Sequence, residues 1–184
     1  MFQFRQSGIL EWFDIGKVVF SMIKCICFDL DNTLYSETSY YEECYREIAR
    51  LISPTEIEQI TETMIRIRRE EGDRDVFQKI IELYNLDNHY LAEFIRVYRT
   101  HNANISLFPD AKSFIDAANL SIIHCILTNG GEMTQQNKVR CLDIKGKFDF
   151  IVVSGAYLPK HEWKPHSKAF QLVSQHAGVE MDEC

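Results

Sequence analysis

The sequence predicts an α/β protein in which a layered sheet of parallel strands carries an all-helical insert after its first strand. Short apolar runs alternate with helical patterns after Pro109, and this alternation is typical of parallel strands joined by helices. Residues 23–28 form an earlier apolar run, which predicts the first strand of the same sheet. Residues 36–104 show only helical periodicity, so no strand is expected within them.

The composition is that of a folded protein with an acidic balance. The chain has 184 residues, of which 46% are hydrophobic and 12% aromatic, enough for a globular core. The formal net charge is -7 and the basic residues form no run, which argues against a nucleic-acid backbone or an anionic membrane as partner. An anionic substrate would therefore be held by a few local groups.

The six cysteines are scattered without the paired spacing of a zinc site. Cys25, Cys27 and Cys125 lie within apolar runs, where a free thiol behaves as a small hydrophobic side chain. Free thiols are typical of a reducing compartment, so we expect a cytoplasmic protein.

Residues 1–21 are predicted to be an N-terminal extension, to which we assign no role. Charged residues interrupt its apolar ones, so it lacks the continuous apolar region of a signal peptide. No apolar run in the sequence approaches membrane-spanning length, and we expect no membrane partner.

Four amphipathic helices are predicted between residues 36 and 104. Apolar residues recur there at spacings of three and four, which places each set on one helix face. Breaks are expected at Ser53-Pro54, at Gly72-Asp73 and at 86–88.

Helices and strands alternate from residue 110 onward. The run 122–127 is apolar on both faces apart from His124, as expected of a strand that is covered on both sides. Ligands of such sheets bind beyond the carboxyl ends of the strands. The predicted elements are a helix at 110–119, a strand at 122–127, a helix at 132–141, a strand at 148–153 and a helix at 167–177.

Two acids follow the first predicted strand, one residue apart. Asp29 is suited to attack an electrophile, and Asp31 to donate a proton to the leaving group and later accept one from water. Mg²⁺, which prefers oxygen ligands, would offset the repulsion between a carboxylate and a phosphate. The alternative is a surface turn in which Asp31 and Asn32 cap the next helix.

The phosphoryl group would be held by residues that follow the second and third strands. Thr128 offers a hydroxyl, Asn129 and the next glycine offer backbone N–H groups, and a lysine offers a positive charge. Lys160 and Lys164 both qualify, and we favour Lys164 because proline and a helix follow it. These groups suit phosphoryl transfer better than metal-free hydrolysis.

The motifs resemble those of the haloacid dehalogenase superfamily of aspartate-nucleophile phosphatases. Asp29-Leu30-Asp31-Asn32-Thr33 is similar to its DxDx[TV] motif, Thr128 to its second motif, and Lys164-Pro165 to its third. The resemblance implies a Rossmann-like core formed by residues 22–35 and 105–184, with residues 36–104 inserted as a helical cap of subclass I. It also implies a Mg²⁺-dependent phosphomonoesterase that forms an aspartyl-phosphate.

A longer pattern resembles one subgroup of this superfamily. Thr128-Asn129-Gly130 followed by Gln135 and Lys138 is similar to TNGxxxxQxxK of pyrimidine 5'-nucleotidases and N-acylneuraminate 9-phosphatases. The substrate implied is a small phosphorylated metabolite, either a nucleotide or a sugar phosphate. Dehalogenases lack an acid at the position of Asp31, so dehalogenation is disfavoured, whereas a phosphomutase stays an alternative.

The superfamily's fourth motif, an acidic pair on a later strand, has no counterpart before Cys184. The resemblance implies Mg²⁺ ligands at Asp29 and at the backbone carbonyl of Asp31, with the remaining acidic ligand absent from this sequence. We therefore expect the C-terminal strands of the sheet to be missing and the chain to be poorly active alone. The rival interpretation is a non-catalytic remnant or binding module.

Overall fold

The computed structural model describes residues 23–72, 75–117 and 121–184. The predicted N-terminal extension at 1–21 lies outside these residues. Within the described ranges the chain forms three strands and eight α-helices, joined by turns and short 3-10 segments. None of the described helices is long and apolar enough to cross a membrane.

The sheet contains three parallel strands in the order β1-β2-β3. They are β1 (Cys25–Phe28), β2 (Ile123–Thr128) and β3 (Phe150–Val153). Thr128 lies opposite Val153, so the carboxyl ends of β2 and β3 are level with each other. The predicted α/β class with a parallel sheet is confirmed.

Helices cover both faces of the sheet. Successive side chains of a strand point to opposite faces, so a central strand needs apolar partners on both sides. Cys125 packs on the face covered by α8 (Ser167–Ala177). Ile126 packs on the other face with residues of α5 (Pro109–Asp116) and α6 (Glu132–Cys141). The bounds of α6 and α8 are those that the sequence predicted.

The third strand begins two residues later than the predicted 148, and Asp149 explains the difference. Its carboxylate accepts a hydrogen bond from the backbone N–H of His124 at 2.8 Å. Its own N–H donates to the His124 carbonyl oxygen at 2.8 Å. A side chain thus occupies the place of a strand carbonyl, and the regular ladder starts at Phe150. The short helix α7 (Ser154–Tyr157) follows β3 directly.

The four predicted helices of the insert are α1 (Glu37–Ile52), α2 (Ile57–Glu71), α3 (Val76–Leu83) and α4 (His89–Thr100). They pack around an apolar cluster of their own, separate from the two clusters that flank the sheet. Division of the chain into a core and a cap stays a prediction, and this packing supports it. The buried members of the cluster are Tyr45, Ile48, Ala49, Ile60, Met64, Ile67, Val76, Ile80, Ile81, Phe94 and Val97.

Candidate active site

The carboxyl ends of the strands bring Asp29, Thr128 and Lys164 to one edge of the sheet. Asp29 directly follows β1, Thr128 is the last residue of β2, and Lys164 lies between β3 and α8. The Nζ of Lys164 is 2.6 Å from Oδ1 of Asp29. The side chain of Asp29 is 46% exposed and that of Lys164 only 17%, so the acid is the more accessible member of the pair.

Lys164 is fixed by contacts to the end of β2 and to the loop that follows it. Its Nζ donates to the carbonyl oxygen of Leu127 at 2.6 Å. The side-chain amide of Asn129 donates to the Lys164 carbonyl oxygen and accepts from the Lys164 N–H, both at 3.0 Å. Ser154 donates to the same Asn129 oxygen at 3.0 Å, and the Lys164-Pro165 peptide is cis. These contacts hold the lysine at the edge of the sheet.

The predicted role of Asn129 uses its backbone N–H, and the structure gives its side chain a second task. The amide joins Lys164 to the loop after β2 through two hydrogen bonds. This contact was not predicted from the sequence. No local pattern reports a contact between residues 35 positions apart. The phosphate-binding role of its N–H stays a prediction.

Asp31 is held by three donors, unlike Asp29. Tyr35 donates to its Oδ1 at 2.6 Å and Lys138 to the same oxygen at 2.7 Å, while Gln135 donates to Oδ2 at 2.8 Å. Burial is the largest single influence on the Asp31 carboxyl and raises its pKa, whereas the charge of Lys138 and its hydrogen bond lower it. Together with the bonds from Tyr35 and Gln135, they lower this pKa below its ordinary value.

Helix capping falls to Asn32 rather than to either acid. Asn32 adopts a left-handed backbone, with φ at 58°, and its Oδ1 accepts a hydrogen bond from the N–H of Glu37 at 3.0 Å. The amide thus satisfies a donor in the first turn of α1. Asn32 therefore provides the capping that a surface turn would predict, while Asp29 and Asp31 bind other partners.

A cavity of about 340 Å³ adjoins this edge of the sheet. Asp31 and Lys138 line it from the core side, and Glu37 and Tyr98 line it from the helical insert. Glu37 also accepts a hydrogen bond from Arg68 of α2 at 3.2 Å, so the wall on this side carries an ion pair. The remaining lining residues include Lys160, Trp163, Asn129, Gly130, Gly131, Thr134 and Gln135.

Metal-binding side chains are sparse around the site. Among residues 23–72, 75–117 and 121–184, no group of three or more His, Cys, Asp or Glu side chains is placed to hold a metal ion. The Asp31 carboxylate is already bound by three donors, so its contribution to a metal would come from its backbone carbonyl. The Asp29 carboxylate is the other candidate oxygen ligand.

Comparison with known sequences identifies the family. The sequence model of the haloacid dehalogenase-like hydrolases matches residues 23–184. The chain belongs to this family. As a haloacid dehalogenase-like hydrolase it is an enzyme of the hydrolase class, and the superfamily resemblance of the motifs is confirmed. The subgroup of nucleotidases and sugar phosphatases stays a prediction.

Individual relatives of this haloacid dehalogenase-like hydrolase are distant. It is similar to a glyceraldehyde 3-phosphate phosphatase of Methanocaldococcus jannaschii, with 24% identity over 88% of this chain and 74% of the relative. An enzyme of the same name from Pyrococcus abyssi is 27% identical, over 88% of this chain and 71% of that one.

The fold is that of solved structures in the same family. The L-2-haloacid dehalogenase of Xanthobacter autotrophicus matches with a TM-score of 0.55 and 21% identity. The match covers 86% of this chain and 66% of that one, so the chain spans just under two thirds of the dehalogenase. At this identity the likeness concerns the fold alone.

Proposed function

We propose that this haloacid dehalogenase-like hydrolase is a phosphomonoesterase that acts through a phosphorylated Asp29 on a small phosphorylated metabolite. The observation that carries the proposal is the 2.6 Å contact between Asp29 and Lys164 at the carboxyl ends of the strands. It pairs a partly exposed carboxylate with a cation able to bind phosphate oxygens. The two relatives named as phosphatases support the same reaction type.

The proposed reaction has two displacements at phosphorus. An Asp29 carboxylate oxygen attacks the phosphorus, the ester P–O bond breaks, and Asp31 gives its proton to the departing alkoxide. Asp31 then takes a proton from water, whose oxygen attacks the phosphorus of the aspartyl-phosphate. The bond to Asp29 breaks, its carboxylate is restored, and inorganic phosphate leaves.

The lowered pKa of Asp31 suits the second step directly, because an ionised carboxylate accepts a proton from water. The first step needs the protonated form. A phosphate group placed beside Asp31 brings negative charge, and a like charge raises the pKa of a carboxyl group. Substrate binding would thus favour the acid that protonates the leaving group.

The phosphoryl oxygens would be held by Thr128, by the Asn129 N–H and by Lys164. Mg²⁺ fits the oxygen atoms present, because it is commonly bound by one or two protein oxygens together with substrate phosphate and water. Asp29 and the backbone carbonyl of Asp31 would hold it. When bound, the ion would offset the repulsion between the Asp29 carboxylate and the phosphate.

The cavity beside the site supports a small substrate. Its volume of about 340 Å³ lies near the lower end of ligand pockets in proteins, which begin at roughly 300 Å³. Glu37 and Tyr98 close it from the helical insert. We propose that residues 36–104 act as a cap that selects the group attached to the phosphate.

The test is release of inorganic phosphate by the purified chain in the presence and absence of Mg²⁺. The substrates are 4-nitrophenyl phosphate, glyceraldehyde 3-phosphate, a hexose phosphate and a nucleoside monophosphate. We expect slow Mg²⁺-dependent release, in keeping with a chain that is poorly active alone, and we expect Asp29→Asn to abolish it. Turnover that survives Asp29→Asn would overturn the assignment of the nucleophile, and no turnover with any substrate would favour the non-catalytic alternative.

A further inference from the structure

Helix α6 carries buried polar side chains on the face that it turns toward the site. Gln135 and Lys138 are only 2% and 3% exposed, and their spacing of three residues places them on one face. Burying an amide or an ammonium is costly unless it forms hydrogen bonds. Both side chains therefore need specific partners, and those partners are residues of the proposed site.

Gln135 connects the general acid to the phosphate-binding threonine. Its Nε2 donates to Oδ2 of Asp31 at 2.8 Å and to Oγ1 of Thr128 at 2.5 Å. A primary amide nitrogen has two hydrogens, so this geometry uses both. The opposite orientation of the amide would set its oxygen against the Asp31 carboxylate, which the repulsion between acceptors excludes.

The contact with Gln135 also orients the Thr128 hydroxyl. Because Gln135 donates to Oγ1, the hydroxyl keeps its own hydrogen for another acceptor. Its other contact, with the carbonyl oxygen of Asn129, is 3.4 Å long and weak. The hydroxyl hydrogen is thus available to a phosphoryl oxygen, which is the role proposed for Thr128.

Lys138 fixes the other oxygen of Asp31. Its Nζ lies 2.7 Å from Oδ1 of Asp31 and 3.7 Å from Oε1 of Glu37, and 5.3 Å from the centre of the Tyr40 ring. Tyr35 adds a second bond to Oδ1 at 2.6 Å. Both carboxylate oxygens are therefore restrained, which leaves the side chain little freedom to rotate.

The loop after β2 is shaped around Gln135. Gly130 has a φ of 127°, a conformation that residues with a Cβ rarely adopt. A Cβ on Gly130 would also lie 3.2 Å from both Cγ and Cδ of Gln135. The glycine thus lets the loop lie directly against the Gln135 side chain.

We propose that Gln135 and Lys138 are positioning residues, which fix the Asp31 carboxylate relative to the Thr128 hydroxyl. Gln135 does so by bridging the two groups, and Lys138 by holding the second carboxylate oxygen. The inference rests on the proposed function, which assigns Asp31 and Thr128 their roles. It explains why the TNGxxxxQxxK pattern contains a glutamine and a lysine, since both side chains hold Asp31 in position.

The first experiment is crystallographic and does not depend on turnover. Gln135→Met and Lys138→Met keep similar side-chain length but remove the donors. We expect the Asp31 carboxylate to occupy one position in the unmodified protein and to rotate or split in each variant. An Asp31 carboxylate that stays in place in both variants overturns the proposal. If Gln135→Met does not fold, Gln135→Asn, which is too short to reach both partners, replaces it.

The second experiment measures kcat and KM for phosphate release. We expect Gln135→Met to lower kcat by about 100-fold, the effect of misplacing a reacting group by roughly 1 Å, with KM changed less than about threefold. A change of KM alone, or an unchanged kcat, would contradict a positioning role. Gln136→Met on the exposed side of the same helix is the matched control and should keep the kcat of the unmodified chain.

The two experiments separate this inference from the proposed function. If the unmodified chain shows no turnover with any phosphomonoester, the proposed function fails for this chain, and the crystallographic positions of Asp31 still decide the positioning role. If turnover is present and the variants leave both kcat and the Asp31 position unchanged, the positioning role alone is wrong.

Discussion

The ammonium group of Lys164 lies 2.6 Å from the Asp29 carboxylate and 2.6 Å from the carbonyl oxygen of Leu127. One cation thus contacts the end of β2 and the proposed nucleophile that follows β1. The side-chain amide of Asn129 also forms two hydrogen bonds with the backbone of the same lysine. The lysine is therefore restrained both at its backbone and at its ammonium group. This arrangement sets the charge that we propose to bind phosphate beside the atom that would attack phosphorus.

Replacement of the nucleophile provides the sharpest test of this arrangement. Asp29→Asn keeps the shape of the side chain but removes the charge and the attacking oxyanion, so we expect kcat to fall by about 1000-fold or more. Initial rates of phosphate release measure the loss. Asp143→Asn is the matched control, because Asp143 is exposed and its φ of 54° suits asparagine. A similar loss in both variants would point to a general defect rather than to a nucleophile.

The gathering of Asp29, Thr128 and Lys164 could be predicted because it follows from topology. Parallel strands of one sheet end at the same edge, so residues after successive strands must meet there. The bounds of α6 (132–141) and α8 (167–177) could also be predicted from the sequence, because each helix has a local pattern of residues and defined signals at its ends. These features depend on residues that are near one another in sequence.

The contacts that orient the site could not be predicted in the same way. Gln135 and Lys138 reach Asp31 across 104 and 107 positions, and sequence periodicity carries no information at that range. The pattern showed both residues but not their partners. The expectation that the chain is poorly active alone stays a prediction, which measurements of turnover test.

Removal of the Asn129 side chain should loosen Lys164 without touching the lysine itself. Asn129→Ala deletes the amide that bonds to Lys164 and to Ser154, and the loss of such bonds costs about 1–3 kcal/mol in unfolding free energy. Urea unfolding followed by circular dichroism measures this change. Asn104→Ala, at an exposed position, is the control and should shift stability by less than about 0.5 kcal/mol. Equal stability of the two variants would show that the hydrogen bonds of the Asn129 side chain do not stabilise the protein.

Gly155 is predicted to tolerate no side chain. A Cβ there would lie 2.2 Å from the backbone carbonyl oxygen of Gly130, which cannot move aside without shifting the loop after Thr128. We expect Gly155→Ala to lower the unfolding free energy by about 1–3 kcal/mol, the usual cost of overpacking, and to reduce phosphate release. Thermal unfolding and initial rates provide the two measurements.

The matched control for that substitution is Gly146→Ala. A Cβ on Gly146 would meet no atom within 4 Å, and Gly146 is exposed on the 3-10 turn before β3. We therefore expect the unfolding free energy of Gly146→Ala to stay within about 0.5 kcal/mol of that of the unmodified chain. The close approach of α7 to the loop after β2 would be refuted if Gly155→Ala were as stable and as active as Gly146→Ala.

Alkylation should distinguish the buried thiols from the exposed one. Burial raises the pKa of the Cys44 thiol to about 12 and that of Cys25 to about 11, and both residues are fully buried. Cys184 is exposed. Because the thiolate is the reactive form, we expect iodoacetamide at pH of about 7.5 to modify Cys184 first. Cys25 and Cys44 should react only after unfolding in guanidinium chloride.

The pH dependence of this labelling gives a further check on the same thiols. Raising the pH to about 9 makes the test of protection more stringent, because the thiolate is the reactive form of a cysteine and higher pH favours it. The same pH still lies below the raised pKa values of Cys25 and Cys44, so those thiols stay protonated and should remain unmodified. Peptide mapping by mass spectrometry measures each site. Native labelling of Cys44 at the rate of Cys184 would show that the interior between helices α1 and α4 is open to solvent.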